Sequence, residues 1–247
     1  MDLVVVSVKK EMKVRYKSSV LGYMWSVMNP IAFALVYFIA FKIIMRIQME
    51  NYSIFLLSGL FAWQWFANSA NVAPTTYISN ASIIKKVNFP RNVLVIANIL
   101  QDGIHFLLAV PVFLLFMFIF GLMPSWHWLY GIPVLFAIQG LMLYGFCLAL
   151  ASVNLFVRDI ERLVSIATTL LFYFTPILYP MSMVPEKFRP LLNLNPVGPL
   201  MVGWRELLLN GRFDLASALI SLGYGIAAYF IGTAIYKKLS WKFAEAL

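Results

Sequence analysis

Nothing in these 247 residues matches a nucleotide-binding phosphate loop, since no G-x-x-x-x-G-K-S/T occurs. Acidic residues number only ten and are scattered, histidine occurs twice, and there is no H-E-x-x-H pair. Enzymes that act on lipids or glycans within a membrane usually need clustered acids or metal ligands, so that class is disfavoured. No catalytic residue, metal site or cofactor is expected on this chain. Cys147 is the single cysteine, so an intrachain disulfide is impossible and the redox compartment cannot be read. Charged residues make up 12%, against about 25% in a soluble domain.

What fills the chain instead is hydrocarbon. Hydrophobic residues reach 62%, where soluble domains average about 45–50%. Water does not solvate such a surface, so lipid must cover much of it. A membrane span needs about 20 mostly apolar residues. Runs of that kind fall at about 27–46, 54–78, 93–120, 128–156, 162–181 and 215–236. The expected fold is therefore all-α: one polytopic membrane domain over residues 1–247 with six transmembrane helices.

Four segments divide it. Residues 1–26 hold an amphipathic helix at the membrane surface. Val5, Val8, Met12 and Tyr16 share one arc and Lys9, Lys10, Lys13 and Lys17 another, which suits an anionic leaflet. A basic topogenic tail is the competing reading. Residues 27–175 hold the first five spans. Residues 176–214 carry six of the twelve prolines, between Pro176 and Pro199, so no straight helix runs through them. Short re-entrant helices on the outer side, forming a gate, are expected there. Residues 215–247 hold the last span and a tail. Residues 3–8 are apolar, but Lys9 and Lys10 follow them, the reverse of the order in a cleavable signal.

The net charge of +9 is not a nucleic-acid signal, because the basic residues lie in short clusters between spans. With the N-terminus inside, thirteen of the nineteen Lys and Arg residues fall on the cytoplasmic side, so both termini are expected there.

Short motifs in a fixed order narrow the reading. Arg15-Tyr16-Lys17-Ser18-Ser19-Val20-Leu21-Gly22-Tyr23-Met24-Trp25 leads to Asn29-Pro30 before the first span. Asn80-Ala81-Ser82-Ile83-Ile84-Lys85-Lys86-Val87-Asn88-Phe89-Pro90-Arg91 joins spans two and three. Val157-Arg158-Asp159 follows span four. Thr175-Pro176-Ile177-Leu178-Tyr179-Pro180, Asn195-Pro196 and Trp204-Arg205-Glu206 come after it. Across nearly the whole chain this series resembles the permease subunits of bacterial ABC-2 type polysaccharide exporters, which carry O-antigen, capsule or wall teichoic acid.

The resemblance implies a homodimeric permease in the bacterial cytoplasmic (inner) membrane. It implies two copies of a separate ABC ATPase subunit that binds ATP and Mg. It also implies a lipid-linked polysaccharide as cargo, with O-antigen export and lipopolysaccharide biosynthesis first and teichoic acid or capsule second. A drug or small-molecule exporter of the same type is the alternative. The chain stops soon after the last span, and no carbohydrate-binding extension is expected on it.

Candidate residues follow. Sugars present apolar C–H faces that stack on rings. Phe33, Tyr37, Phe41, Phe61, Trp65, Phe172, Tyr173 and Phe174 are therefore candidates for the substrate channel, with packing or an interfacial belt as the competing reading. Ile84, Lys85, Lys86, Phe89, Pro90 and Arg91 offer apolar anchors with a charged rim and are candidates for coupling to the ATPase. Asn80 or Ser82 would cap a short helix there. Arg15, Tyr16, Arg158, Asp159, Pro176, Tyr179 and Pro180 lie in the resembling motifs and are assigned to gate or interface.

Three further features stay open. Gln64, Asn68, Asn71 and Thr75 form a polar stripe that needs a wet lumen or hydrogen-bonding neighbours. Asp102 and His105, one turn apart within a span, fit a proton relay or a paired structural role. Ser217, Ser221, Gly225, Ala228 and Gly232 recur at helical spacing and favour close helix packing.

Overall fold

The computed structural model describes residues 24–44, 46, 51–188 and 194–247. Helix α1 spans Trp25–Phe38 and runs on as a π-helix over Ile39–Ile44. Helix α2 spans Tyr52–Val72. A 3-10 turn at Ala73–Thr75, set by Pro74, leads to the short helix α3, Thr76–Ser79. Helix α4, Ala81–Lys86, follows. Then come α5 (Asn92–Ile119), α6 (Trp128–Asn154) and α7 (Ile160–Phe174). Beyond 3-10 turns at Met181–Met183 and Glu186–Phe188 lie α8 (Gly198–Leu208) and α9 (Leu215–Leu239). The last turn is α10, Phe243–Ala246. Among the described residues there is no strand.

Among the described residues, three helices are both long and apolar enough to cross a membrane: Asn92–Ile119, Trp128–Asn154 and Leu215–Lys242. Helix α2 has the length, 21 residues, but carries Gln64, Asn68 and Asn71. Helix α2 is the hub of the bundle, with fifteen of its residues buried against neighbours. Gln64 is half-buried in that packing, whereas Asn68 and Asn71 are exposed along one side of the helix.

Local chemistry sets the ends. Gly121 takes φ +71 just after α5, and Leu122 N–H returns to the Met117 carbonyl at 2.8 Å. That is a Schellman closure, which favours glycine at the left-handed position. Asp214 caps α9, its carboxylate accepting from Ala216 N–H at 3.1 Å and Ser217 N–H at 3.3 Å. Helix α7 ends at Phe174, short of the expected boundary at 181. The cause is Pro176, which pushes Thr175 into the extended region (ψ 138). Ile177 and Leu178 kept the apolar run going in sequence, yet they lie buried outside the helix.

The tightest packing joins α6 to α9. Ser217, Ser221, Gly225, Ala228 and Gly232 form the buried face of α9. A methyl group placed on Gly145 would overlap the Ala228 carbonyl, and one on Gly232 would overlap Gly145. Only the absence of side chains lets these backbones meet.

Candidate functional site

At one end of the bundle lies the segment 80–91. Ile84 is buried and Phe89 packs partly against the core. Lys85, Lys86, Val87 and Pro90 are exposed and form an outward edge. Asn80 sits at the N-cap position of α4 without a side-chain cap; its amide donates back to the Thr76 carbonyl at 3.0 Å. Capping of this helix by Asn80 or Ser82 is thus corrected.

Arg91 is committed elsewhere. Its Nη1 donates to the Ser240 carbonyl at 2.6 Å, and its guanidinium lies 5.6 Å from the centre of the Phe243 ring. Phe243 is fully buried among Tyr77, Phe156 and Tyr236. Segment 80–91 is therefore fastened to the turn that follows the last long helix. Arg158 and Asp159 are exposed at the same end, just before α7, and Asp159 makes no side-chain cap on it. Arg15 and Tyr16, with the expected surface helix, lie outside the described residues.

At the opposite end, the break after α7 leaves carbonyls that need donors. Arg205 of α8 supplies two of them. Its Nη1 donates to the Pro176 carbonyl at 2.5 Å and its Nη2 to Ile177 at 2.9 Å. The guanidinium lies over Phe55, its central carbon 3.8 Å from the ring centre. Gly59 makes the room, since a methyl there would come within 2.9 Å of Arg205 Nη2. Tyr52 Oη donates to the Leu178 carbonyl at 2.8 Å, and Asn195 Nδ2 to Thr175 Oγ1 at 2.8 Å. Tyr179 Oη turns back to the Tyr173 carbonyl at 3.0 Å. Pro176 is buried and Pro180 half-buried. The knot formed by Arg205, Tyr52 and Asn195 was missed in the sequence. An arginine with no acid at helical spacing except its neighbour Glu206 was the available signal.

The aromatic candidates divide. Phe61 and Trp65 do not reach an open face of the protomer. Phe61 meets Phe113 edge-on, and Trp65 stacks between Phe106 and Phe136 while its indole N–H donates to Ile99 at 3.1 Å. Phe172 is buried against Trp63. These three rings pack within the protomer, because helix rotation turns them onto neighbouring helices. Tyr173 and Phe174 are exposed, at 57% and 65%. The side chains of Phe33, Tyr37 and Phe41 lie outside the description.

Asp102 and His105 are buried, and Asp102 Oδ2 accepts from Ser69 Oγ at 3.0 Å. The polar stripe of α2 splits. Asn71 accepts from Thr168 Oγ1 at 3.0 Å, Asn68 is exposed, and Gln64 and Thr75 are half-buried.

The described residues thus form an apolar helical bundle with a fastened loop at one end and a knotted break at the other, a frame suited to a membrane. The family model for ABC-2 type transporters matches residues 2–209, and the chain belongs to that family. It is an integral membrane protein and a permease component. It is 46% identical over 246 residues to the O-antigen export system permease protein RfbA of Klebsiella pneumoniae, covering 100% of this chain and 95% of that one. A protein of the same name from Myxococcus xanthus is 32% identical over 252 residues, covering 99% and 95%. The polysialic acid transport protein KpsM of Escherichia coli is 23% identical over 234 residues, covering 92% and 90%.

Proposed function

We propose that this chain is the permease of an exporter that carries lipid-linked O-antigen polysaccharide across the bacterial cytoplasmic membrane. The observation that carries the reading is the 46% identity, end to end, with an O-antigen export permease. Helices α1 with its π turn, α2, α5, α6, α7 and α9 are the six crossings, and both termini are cytoplasmic. Residues 175–208 then form the outer end. A second copy completes the pore, supported by the broad surface of α7 left uncovered in one protomer. Two copies of an ABC ATPase bind ATP and Mg and press on the edge formed by Lys85, Lys86, Val87 and Pro90. Helices α1 and α7 of the two copies then part, and the glycan threads between them.

Capsule polysaccharide is the second reading, supported by the similarity to the polysialic acid transport protein. The test is co-reconstitution with an ABC ATPase partner from the same source, offering lipid-linked O-antigen, capsule glycan and amphiphilic drugs in turn. ATP-dependent transport of O-antigen alone is the expected result. Transport of drugs without glycan, or unaltered surface O-antigen in a strain lacking the gene, would overturn the proposal.

A further inference from the structure

Helix α7 has three faces. Val164, Thr168 and Phe172 form its buried line, and Thr168 and Phe172 meet α2. Leu163, Ile166, Leu170 and Phe174 are exposed and wholly apolar. Between these two lies a third face, where Ser165, Thr169 and Tyr173 recur at i, i+4 and i+8, all exposed.

Two contacts fix how α7 sits on α2. Trp63 meets Phe172, their ring centres 5.6 Å apart, and Asn71 bonds Thr168. Rising numbers on one helix pair with falling numbers on the other, so the two run antiparallel. Each residue advances about 100° around a helix. In an antiparallel pair, positions rotated forward from the seam fall on the same side on both helices. Asn68 lies about 60° forward of Asn71; Ser165 and Thr169 lie about 60° and about 100° forward of Thr168. Gln64 flanks the same line. The exposed amides of α2 and the exposed hydroxyls of α7 thus border one groove.

Such a groove is out of place against hydrocarbon, where an uncovered amide has no partner. It suits a hydrated, hydroxyl-rich chain. Arg162 is exposed on the same face near the start of α7; the named groups beyond it are uncharged and amphoteric in hydrogen bonding, with Thr169 Oγ1 donating to the Ser165 carbonyl at 2.9 Å in this state. Each bond to a sugar hydroxyl trades for one with water and is individually weak, so the chain advances without sticking. Tyr173 adds a ring face at the end of the row. We infer that the α2–α7 groove, with Gln64, Asn68, Asn71, Ser165, Thr169 and Tyr173, is the track on which the polysaccharide slides. The inference rests on the polysaccharide reading above and gives the cargo site an amide-and-hydroxyl wall.

The natural chain has one cysteine, Cys147, and it is buried, so introduced thiols can be read singly. Asn68→Cys, Thr169→Cys and Leu170→Cys are made in the intact permease–ATPase complex and treated with a charged, water-soluble maleimide. Only a hydrated thiol ionises readily, so the first two are expected to label at least about tenfold faster than the third. Added lipid-linked O-antigen is expected to slow them. Equal or reversed rates overturn the track. So does disulfide cross-linking of Thr169→Cys between two copies without labelling, which makes the row a protomer contact.

A second measurement is export. The double variant Asn68→Leu with Thr169→Val is expected to lower it about tenfold while dimer and ATPase remain assembled. Restoring the hydroxyl with Thr169→Ser is expected to recover part of the rate. If the natural complex exports no polysaccharide, the cargo reading fails. If it does and the double variant matches it, the track alone fails.

Discussion

Helices α6 and α9 meet backbone to backbone, with Gly145 against Ala228 and Gly232. Helix α7 is held quite differently. Its buried line is Val164, Thr168 and Phe172, Ile160 and Leu171 pack partly against the core, and most of its other side chains are exposed among the described residues. The first pair is a block whose parts have no room to slide. The second is a strut whose side-chain contacts with α2 include the Thr168–Asn71 hydrogen bond and the Phe172–Trp63 ring contact. Close-packed interfaces switch between discrete arrangements and do not stretch. Motion in this bundle is therefore expected at the α7 seam and not within the α6–α9 block.

Three substitutions probe that contrast, in falling order of effect. Gly145→Leu drives a side chain into the α9 backbone. It is expected to cost more than about 4 kcal/mol and to abolish folded protein, read as loss of a monodisperse detergent-solubilised peak. Survival of a folded protein with normal melting would mean that the block is looser than described.

Arg205→Met keeps the bulk but removes both donors from the Pro176 and Ile177 carbonyls. A destabilisation of about 2–4 kcal/mol is expected in thermal melting, with protease cutting concentrated in residues 175–195. Arg205→Lys should recover only part of it, because a single ammonium does not reproduce the planar fork. A melting curve unchanged by Arg205→Met would show that the break holds itself.

Thr168→Val removes the one hydrogen bond between α7 and Asn71 and leaves the shape nearly intact. The expected cost is about 0.5–1 kcal/mol in melting, with a clear rise in the exchange or labelling rate of α7 alone. A loss as large as that from Arg205→Met would mean that α7 belongs to the rigid body.

Much of the helical plan was legible in the sequence because apolar length and small-residue spacing report directly on helix and contact. The five-residue stripe of α9 is the clearest instance: five small residues on one face have little else to do than admit a neighbour. The end of α7 was misplaced because the apolar run continues through Ile177 and Leu178 while Pro176 has already broken the helix. The ring candidates show another limit. Phe61 and Phe174 are alike in composition and local pattern, yet one is packed in the core and the other is exposed. What separates them is the rotation of each helix against its neighbours, which no single segment encodes. Arg91 reads in sequence as a cation held out to a partner. Its actual acceptor, the Ser240 carbonyl, is 149 residues away.

That tie has a mechanical consequence. Through Arg91, Ser240 and the Phe243 ring, segment 80–91 is clamped to the foot of α9, and α9 is fused to α6. On the coupling proposed above, a thrust at Lys85 and Lys86 would be borne by the heavy part of the bundle, as a lever bears on its fulcrum. The slender helix is left to swing, and the side chain four residues from the chain's last one sets how stiff the lever is.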